Sequence, residues 1–107
     1  MNILDFKRLV RGYTEENITF DEPHVSMRCE ENNISKEDIT KTILDENSIL
    51  IRMVEDRPAV YKLYYQIGRK TELKLVVDFF THQKINIRTV KKLSYKFRLG
   101  SIQKRRF

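Results

Sequence analysis

Two residues four positions apart, His24 and Arg28, are the first candidates for chemistry in this chain. On a helix they share one face, so both side chains can approach one ligand. An imidazole can carry a proton near neutral pH, and a guanidinium can hold a phosphate through paired N–H donors. Cleavage of a phosphodiester needs both services: proton transfer at the attacking and leaving oxygens, and stabilisation of the charge on phosphorus. The same residues also have plain structural uses. His24, near a helix start, can bond backbone or Glu22, and Arg28 can pair with Glu31 or Glu22. His82, in the turn 81–84, is a second acid/base candidate, although a lone loop histidine is ordinarily solvated. Two histidines without a nearby pair of carboxylates make a weak metal site, and Cys29 is the sole cysteine. Neither a glycine-rich phosphate loop nor a Ser/His/Asp order occurs, so no metal and no cofactor is expected.

Charge and aromatic residues give a second set of candidates. The chain of 107 residues carries +6, and the nine cations after Asp78, its last acid, leave −3 for the first 78 residues. Such asymmetry suits a polyanion partner for the C-terminal part, or else a basic tail that solubilises the domain. Lys84, Arg88, Lys91, Lys92, Lys96 and Arg98 fall in that basic third. Among the tyrosines, Tyr61 and Tyr65 share a phase with Leu63 and Ile67 and are expected to pack. Tyr64 alternates with them and is the better platform for stacking a base beside lysine and arginine.

These residues need a frame. The stretch Leu73–Phe80 alternates, with Leu73, Leu75, Val77 and Phe79 on one side, which is the period of a strand. Ile85 and Ile87 return as a second strand. Upstream, Ile49–Val54 and Ala59–Ile67 alternate likewise, separated by Glu55-Asp56-Arg57-Pro58 and followed by the turn Gly68–Thr71. Leu93, Tyr95, Phe97 and Leu99 favour a fifth extended segment, although Val90, Leu93 and Phe97 would also fit a helix, and Gly100 breaks either. Ile18-Thr19-Phe20 can form a short extended piece. Helices precede the sheet. Ile3, Phe6, Leu9, Val10 and Tyr13 lie at helical spacing after the cap Asn2 and before Gly12. Pro23 suits a first helical turn, with Asp21 or Glu22 as cap and a stop at Asn32-Asn33. Ser35 caps the next helix, with Ile34 stapling onto Ile39.

The order of helices followed by strands predicts one α+β domain over residues 1–100, with two or three N-terminal helices on one face of a four- to five-stranded antiparallel sheet. Residues 101–107 are expected to be a mobile basic tail. The opposite sheet face is expected to carry Lys62, Tyr64, Lys74 and Arg88, with Arg52 and Lys92 joining if the registers allow. No run of apolar residues is long enough to span a membrane, and the charged opening MNILDFKRLVRGY has no apolar signal core, so a reducing, cytoplasmic setting is expected.

Residues 24–39, HVSMRCEENNISKEDI, resemble the opening pattern of a family of small proteins known as domain of unknown function 4258. In that pattern a short strand leads to a histidine, an arginine follows four residues later, then an acid, Ile-Ser and an acidic helix start. Here those places are His24, Arg28, Glu31, Ile34-Ser35 and Glu37-Asp38. The strands Ile49–Val54, Tyr61–Lys70, Leu73–Phe79 and Ile85–Val90 continue the resemblance, which covers residues 18–90. Asn32-Asn33 depart from it, standing where Arg-Gly is usual. The N-terminal helix and the basic extension after Val90 lie outside it. Members of that family look similar to the RelE/ParE group of toxins, which cut messenger RNA on the ribosome or act on DNA gyrase.

The resemblance implies a RelE-like fold and an RNA-binding protein, with messenger RNA endoribonuclease activity as its enzymatic form and RNA or the ribosome and an antitoxin as partners. Under that reading His24, Arg28 and Arg88 are the catalytic candidates. Lys62, Tyr64, Arg69, Lys74, Lys91, Lys92, Lys96 and Arg98 would contact nucleic acid. Two rivals stand beside it: a non-enzymatic module that binds nucleic acid or an acidic protein, and a ParE-like inhibitor that captures a protein target through residues 22–45.

Overall fold

The computed structural model describes residues 1–79 and 83–94. Three α-helices are found among them: α1 (Ile3–Val10), α2 (His24–Glu31) and α3 (Lys36–Leu44). The first and third start as their capping residues dictate. Asn2 accepts from the Asp5 N–H at 2.8 Å, and Ser35 accepts from the Asp38 N–H at 3.0 Å. In each, the aspartate side chain reaches back to the N–H of the capping residue, so two donors that the helix itself leaves unpaired are satisfied together. Pro23 occupies the cap position of α2, one place earlier than its expected role inside the first turn. Asn33 ends the segment after α2 with φ 51°, a left-handed conformation that asparagine tolerates.

Five strands form one sheet: β1 (Ile18–Phe20), β2 (Ile49–Arg57), β3 (Val60–Gly68), β4 (Thr71–Asp78) and β5 (Ile85–Ser94), in the order β1-β5-β4-β3-β2. β2 to β5 are an antiparallel meander, as the alternation implied. The sheet as a whole is mixed, not antiparallel, because β1 pairs parallel with β5, Ile18 against Ile85 and Phe20 against Ile87. No hairpin joins these two strands. Two helices and three strands intervene, so turn geometry does not force them antiparallel. The β2–β3 turn is also tighter than expected: β2 runs through Arg57, and Ala59 takes φ 66°.

One core gathers the buried residues of all three helices and the inward residues of the strands. Phe6, Val25, Ile39 and Ile43 join Leu63, Tyr65, Leu73, Leu75, Val77, Ile85 and Ile87, all buried. Tyr61 follows the inward phase of Leu63 and meets Phe79 edge-on at 5.6 Å. β2 departs from simple alternation. An irregularity between Leu50 and Arg52 moves the inward phase from Leu50 to Met53 and leaves Ile49 and Ile51 exposed.

A second irregularity decides what the opposite, open face carries. Val77 pairs with Ile87, but Val76 pairs with Thr89, so Arg88 is an extra residue in β5. Beyond this bulge the alternation is inverted. Thr89 and Lys91 point to the open face, while Val90 is buried and Lys92 faces Leu73. Lys92 therefore does not join that face. Its Nζ donates to the Asn33 carbonyl at 2.9 Å, closing the end of α2. The expected fifth segment is a continuation of β5 as far as Ser94. His82, Lys96, Arg98, the remainder of that segment and the tail 101–107 lie outside the described residues.

Candidate nucleic-acid interface

The register aligns four outward residues in one row across four strands. Arg52 pairs with Tyr64, Tyr64 with Lys74, and Lys74 with Lys91. Neighbouring strands are about 4.8 Å apart, so the row sets three cations and an aromatic ring within about 15 Å. Arg52 lies over the Tyr64 ring, its guanidinium carbon 4.0 Å from the centroid. This cation–π contact holds both side chains flat against the sheet. Lys74 and Lys91 face each other directly, and among the described residues neither makes an ion pair. Like charges so placed repel and destabilise the sheet. Lys62 stands in the adjacent row, where Asp56 takes its Nζ at 3.5 Å.

α2 brings the last component. Asn32, just beyond its end, spans the gap to β5: its side-chain oxygen accepts from the Lys92 N–H at 3.0 Å. Its side-chain nitrogen donates to the carbonyls of Arg28 at 2.8 Å and Val90 at 3.4 Å. One amide thereby satisfies the free edge of β5 and the end of α2 together. The helix so held forms one wall of an open cleft of ≈ 390 Å³, in which Arg28 and Glu31 confront Lys74, Thr89 and Lys91. Within it Arg28 donates to Glu31 at 3.0 Å, a half-exposed pair one helical turn apart.

The cleft collects Arg28, Lys74 and Lys91 from the sequence candidates, and Tyr64 adjoins it through Lys74. His24 is exposed at the start of α2 and is not among the cleft's walls. Arg69 is exposed in the β3–β4 turn. Arg88 is engaged elsewhere: its Nε lies 4.0 Å from both Asp21 and Asp78. The Asn86 amide donates to the same two carboxylates at 2.9 and 3.0 Å, and Thr19 donates to the Asn86 oxygen at 3.0 Å. A phosphate reaching Arg88 there must compete with two acids. His24 and Arg88 therefore do not join Arg28 in lining this cleft. One contributor escaped the sequence reading: Asn32 was read only as a helix stop. Lys91 was among the candidates, but Lys92 was the one expected to join this face, because the bulge at Arg88 leaves no periodic signal of its own.

Burial sets the ionisation of groups beneath the face. The Tyr65 hydroxyl is enclosed, has no hydrogen-bond partner among the described residues, and is pushed well above the usual tyrosine range by burial. Burial also raises Tyr61, aided by its hydrogen bond to Glu55 at 3.0 Å, and raises the Cys29 thiol. Among the described residues no three of His, Cys, Asp and Glu gather closely enough to hold a metal ion. No described helix is long and apolar enough to cross a membrane.

Comparison of the chain with protein-family models, with curated proteins and with solved structures found no match.

Proposed function

We propose that the open face binds single-stranded nucleic acid, with RNA the first ligand to test. Phosphates occupy the cleft of Arg28, Lys74 and Lys91, and an unpaired base stacks on the Arg52 guanidinium that lies over Tyr64, or replaces it there. The observation that carries this reading is the direct juxtaposition of Lys74 and Lys91, two cations that make no ion pair among the described residues, beside an aromatic ring already stacked with a guanidinium. Backbone phosphates relieve that repulsion, and a π-face accepts any base. Stacking needs an unpaired base, which favours single strands over duplex.

A second reading, a RelE-like messenger RNA endoribonuclease controlled by an antitoxin, draws support from the position of Arg28 in the same cleft. His24, Lys62, Arg69 and Arg88 belong to that reading only if RNA extends beyond the cleft. One experiment separates the two. End-labelled RNA is incubated with the protein, alone and in a translation reaction, and both retention and new 5′ ends are scored. Retention without new ends, lost in Lys74→Ala/Lys91→Ala, is the outcome expected of a binding module. New ends at fixed codon positions, lost in Arg28→Ala, establish cleavage. Neither retention nor new ends from folded protein overturns both.

A further inference from the structure

β2 is the end of the sheet, and nothing among the described residues pairs with its outer edge. It is nine residues long and carries Ile49, Ile51 and Val54 at 57%, 43% and 43% relative exposure. A strand edge of this length offers unpaired N–H and C=O groups, and exposed β-branched residues add apolar surface to bury. We propose that β2 is a self-association edge: two copies of this chain pair their β2 strands antiparallel about a two-fold axis at Val54, with Arg52 of each copy against Asp56 of the other.

The register follows from symmetry and charge. A two-fold pairing of identical strands is isologous, each residue meeting its counterpart once in each direction. Facing residues in an antiparallel ladder lie on the same side of the sheet and turn their backbone groups the same way. They are therefore an even number of positions apart, and the axis passes through a residue, not between two. An axis at Arg52 or at Glu55 sets like charges face to face, which is unfavourable. An axis at Met53 sets Arg52 against Val54. An axis at Val54 sets Arg52 against Asp56 on both sides of an apolar centre.

The two charged side chains project to the same face. Arg52 lies 4.0 Å over the Tyr64 ring, and Asp56 holds the Lys62 Nζ at 3.5 Å, while Tyr64 and Lys62 share the open side of β3. The irregularities after Leu50 and after Glu55 leave Arg52–Glu55 as a regular run containing the axis, and Asp56, the extra residue just past that run, is placed on the open side by its contact with Lys62. The pairing joins the two open faces side by side, with an Arg52 on each side of the seam. It needs no ligand and stands apart from the nucleic-acid reading.

The test is the mass of the full chain in solution by sedimentation equilibrium, over about 10 to 300 µM, since association follows protein concentration. The mass should rise to twice that of the monomer and stop there. Val54→Lys sets two ammonium groups at the axis, and Arg52→Asp sets acid against acid twice. Each should raise the dimer dissociation constant about tenfold or more. The double variant Arg52→Asp/Asp56→Arg exchanges both signs across the seam and should regain most of that loss, less what each copy forfeits at Lys62 and Tyr64. Far-UV circular dichroism establishes that the variants are folded, and the charge exchange remains decisive if Val54→Lys is not. A wild-type chain that is monomeric throughout overturns the proposal, as does association that continues past two copies. A dimer indifferent to Arg52→Asp, or lost in it and not regained in the double variant, overturns it equally.

Discussion

Replacing Lys74 and Lys91 together by alanine removes the two cations that face each other across β4 and β5, and its effects on folding and on binding should have opposite signs. For folding, the variant loses a like-charge repulsion and no ion pair, so its urea stability should equal or exceed the wild type by a few tenths of a kcal/mol. For binding, the count of net phosphate contacts sets the expectation. At protein concentrations too low for the proposed β2 pairing to set Arg52 against Asp56 of a second copy, Arg52, Lys74 and Lys91 enter without an ion pair among the described residues, whereas Arg28 comes with Glu31 and merely exchanges one anion for another. Three contacts on a single strand give a slope of log K against log salt of about −2.1, an affinity loss of about 20-fold from about 50 to 200 mM salt. With Arg52 alone the slope is about −0.7, a loss of about threefold. Fluorescence anisotropy of a labelled oligouridine, titrated at several KCl concentrations, reads both slopes. A folded double variant that keeps the wild-type slope would refute the placement of the phosphates between β4, β5 and α2.

Other perturbations test how that face is held. Asn32→Ala removes the acceptor of the Lys92 N–H and both donated bonds, and should cost about 1–2 kcal/mol in urea denaturation while weakening RNA retention, because α2 loses its tie to β5. A stability change below about 0.5 kcal/mol would remove that tie from the account. Tyr65→Phe deletes a buried hydroxyl with no partner among the described residues, and should leave the protein as stable or about 1 kcal/mol more stable near pH 7. Its pH dependence has a definite sign. Burial raises the folded-state value, so as pH climbs past about 10 the unfolded chain ionises first and the wild type loses stability, by about 1 kcal/mol between pH 10 and 11. Thermal melts should show the variant lacking that increment of alkaline loss, and identical alkaline profiles would argue that the hydroxyl reaches solvent.

The parts of the fold that could be read ahead are those with a local cause. Ser35 followed by Asp38, and Asn2 followed by Asp5, satisfy helix-end donors within four residues, so the pattern is legible without knowing what surrounds it. The inward faces of β3 and β4 are equally local, since Leu63, Tyr65, Leu73, Leu75 and Val77 repeat every second residue. What could not be read depends on a distant partner. The three residues of β1 pair with a strand 67 positions away, and nothing in Ile-Thr-Phe fixes the direction of that pairing. The bulge at Arg88 exists because β4 and β5 shift register there. Its consequence, that Lys91 and not Lys92 faces Lys74, is visible only once the two strands are side by side.

That consequence is also where local rules and the assembled sheet disagree. A sheet optimised for its own stability would set an acid opposite Lys91, and β4 carries one two residues from Lys74 on the same face. The register places that residue, Glu72, against Leu93 instead, and leaves Lys74 against Lys91. Arg52, one strand beyond Tyr64, adds a third cation to the row. The cost of this conflict is about a few tenths of a kcal/mol, small enough for a sheet to carry where another requirement acts. On the proposed reading, a cationic row beside a half-buried ring, with the end of α2 tied to β5 through Asn32, suits an anionic, flat-based ligand.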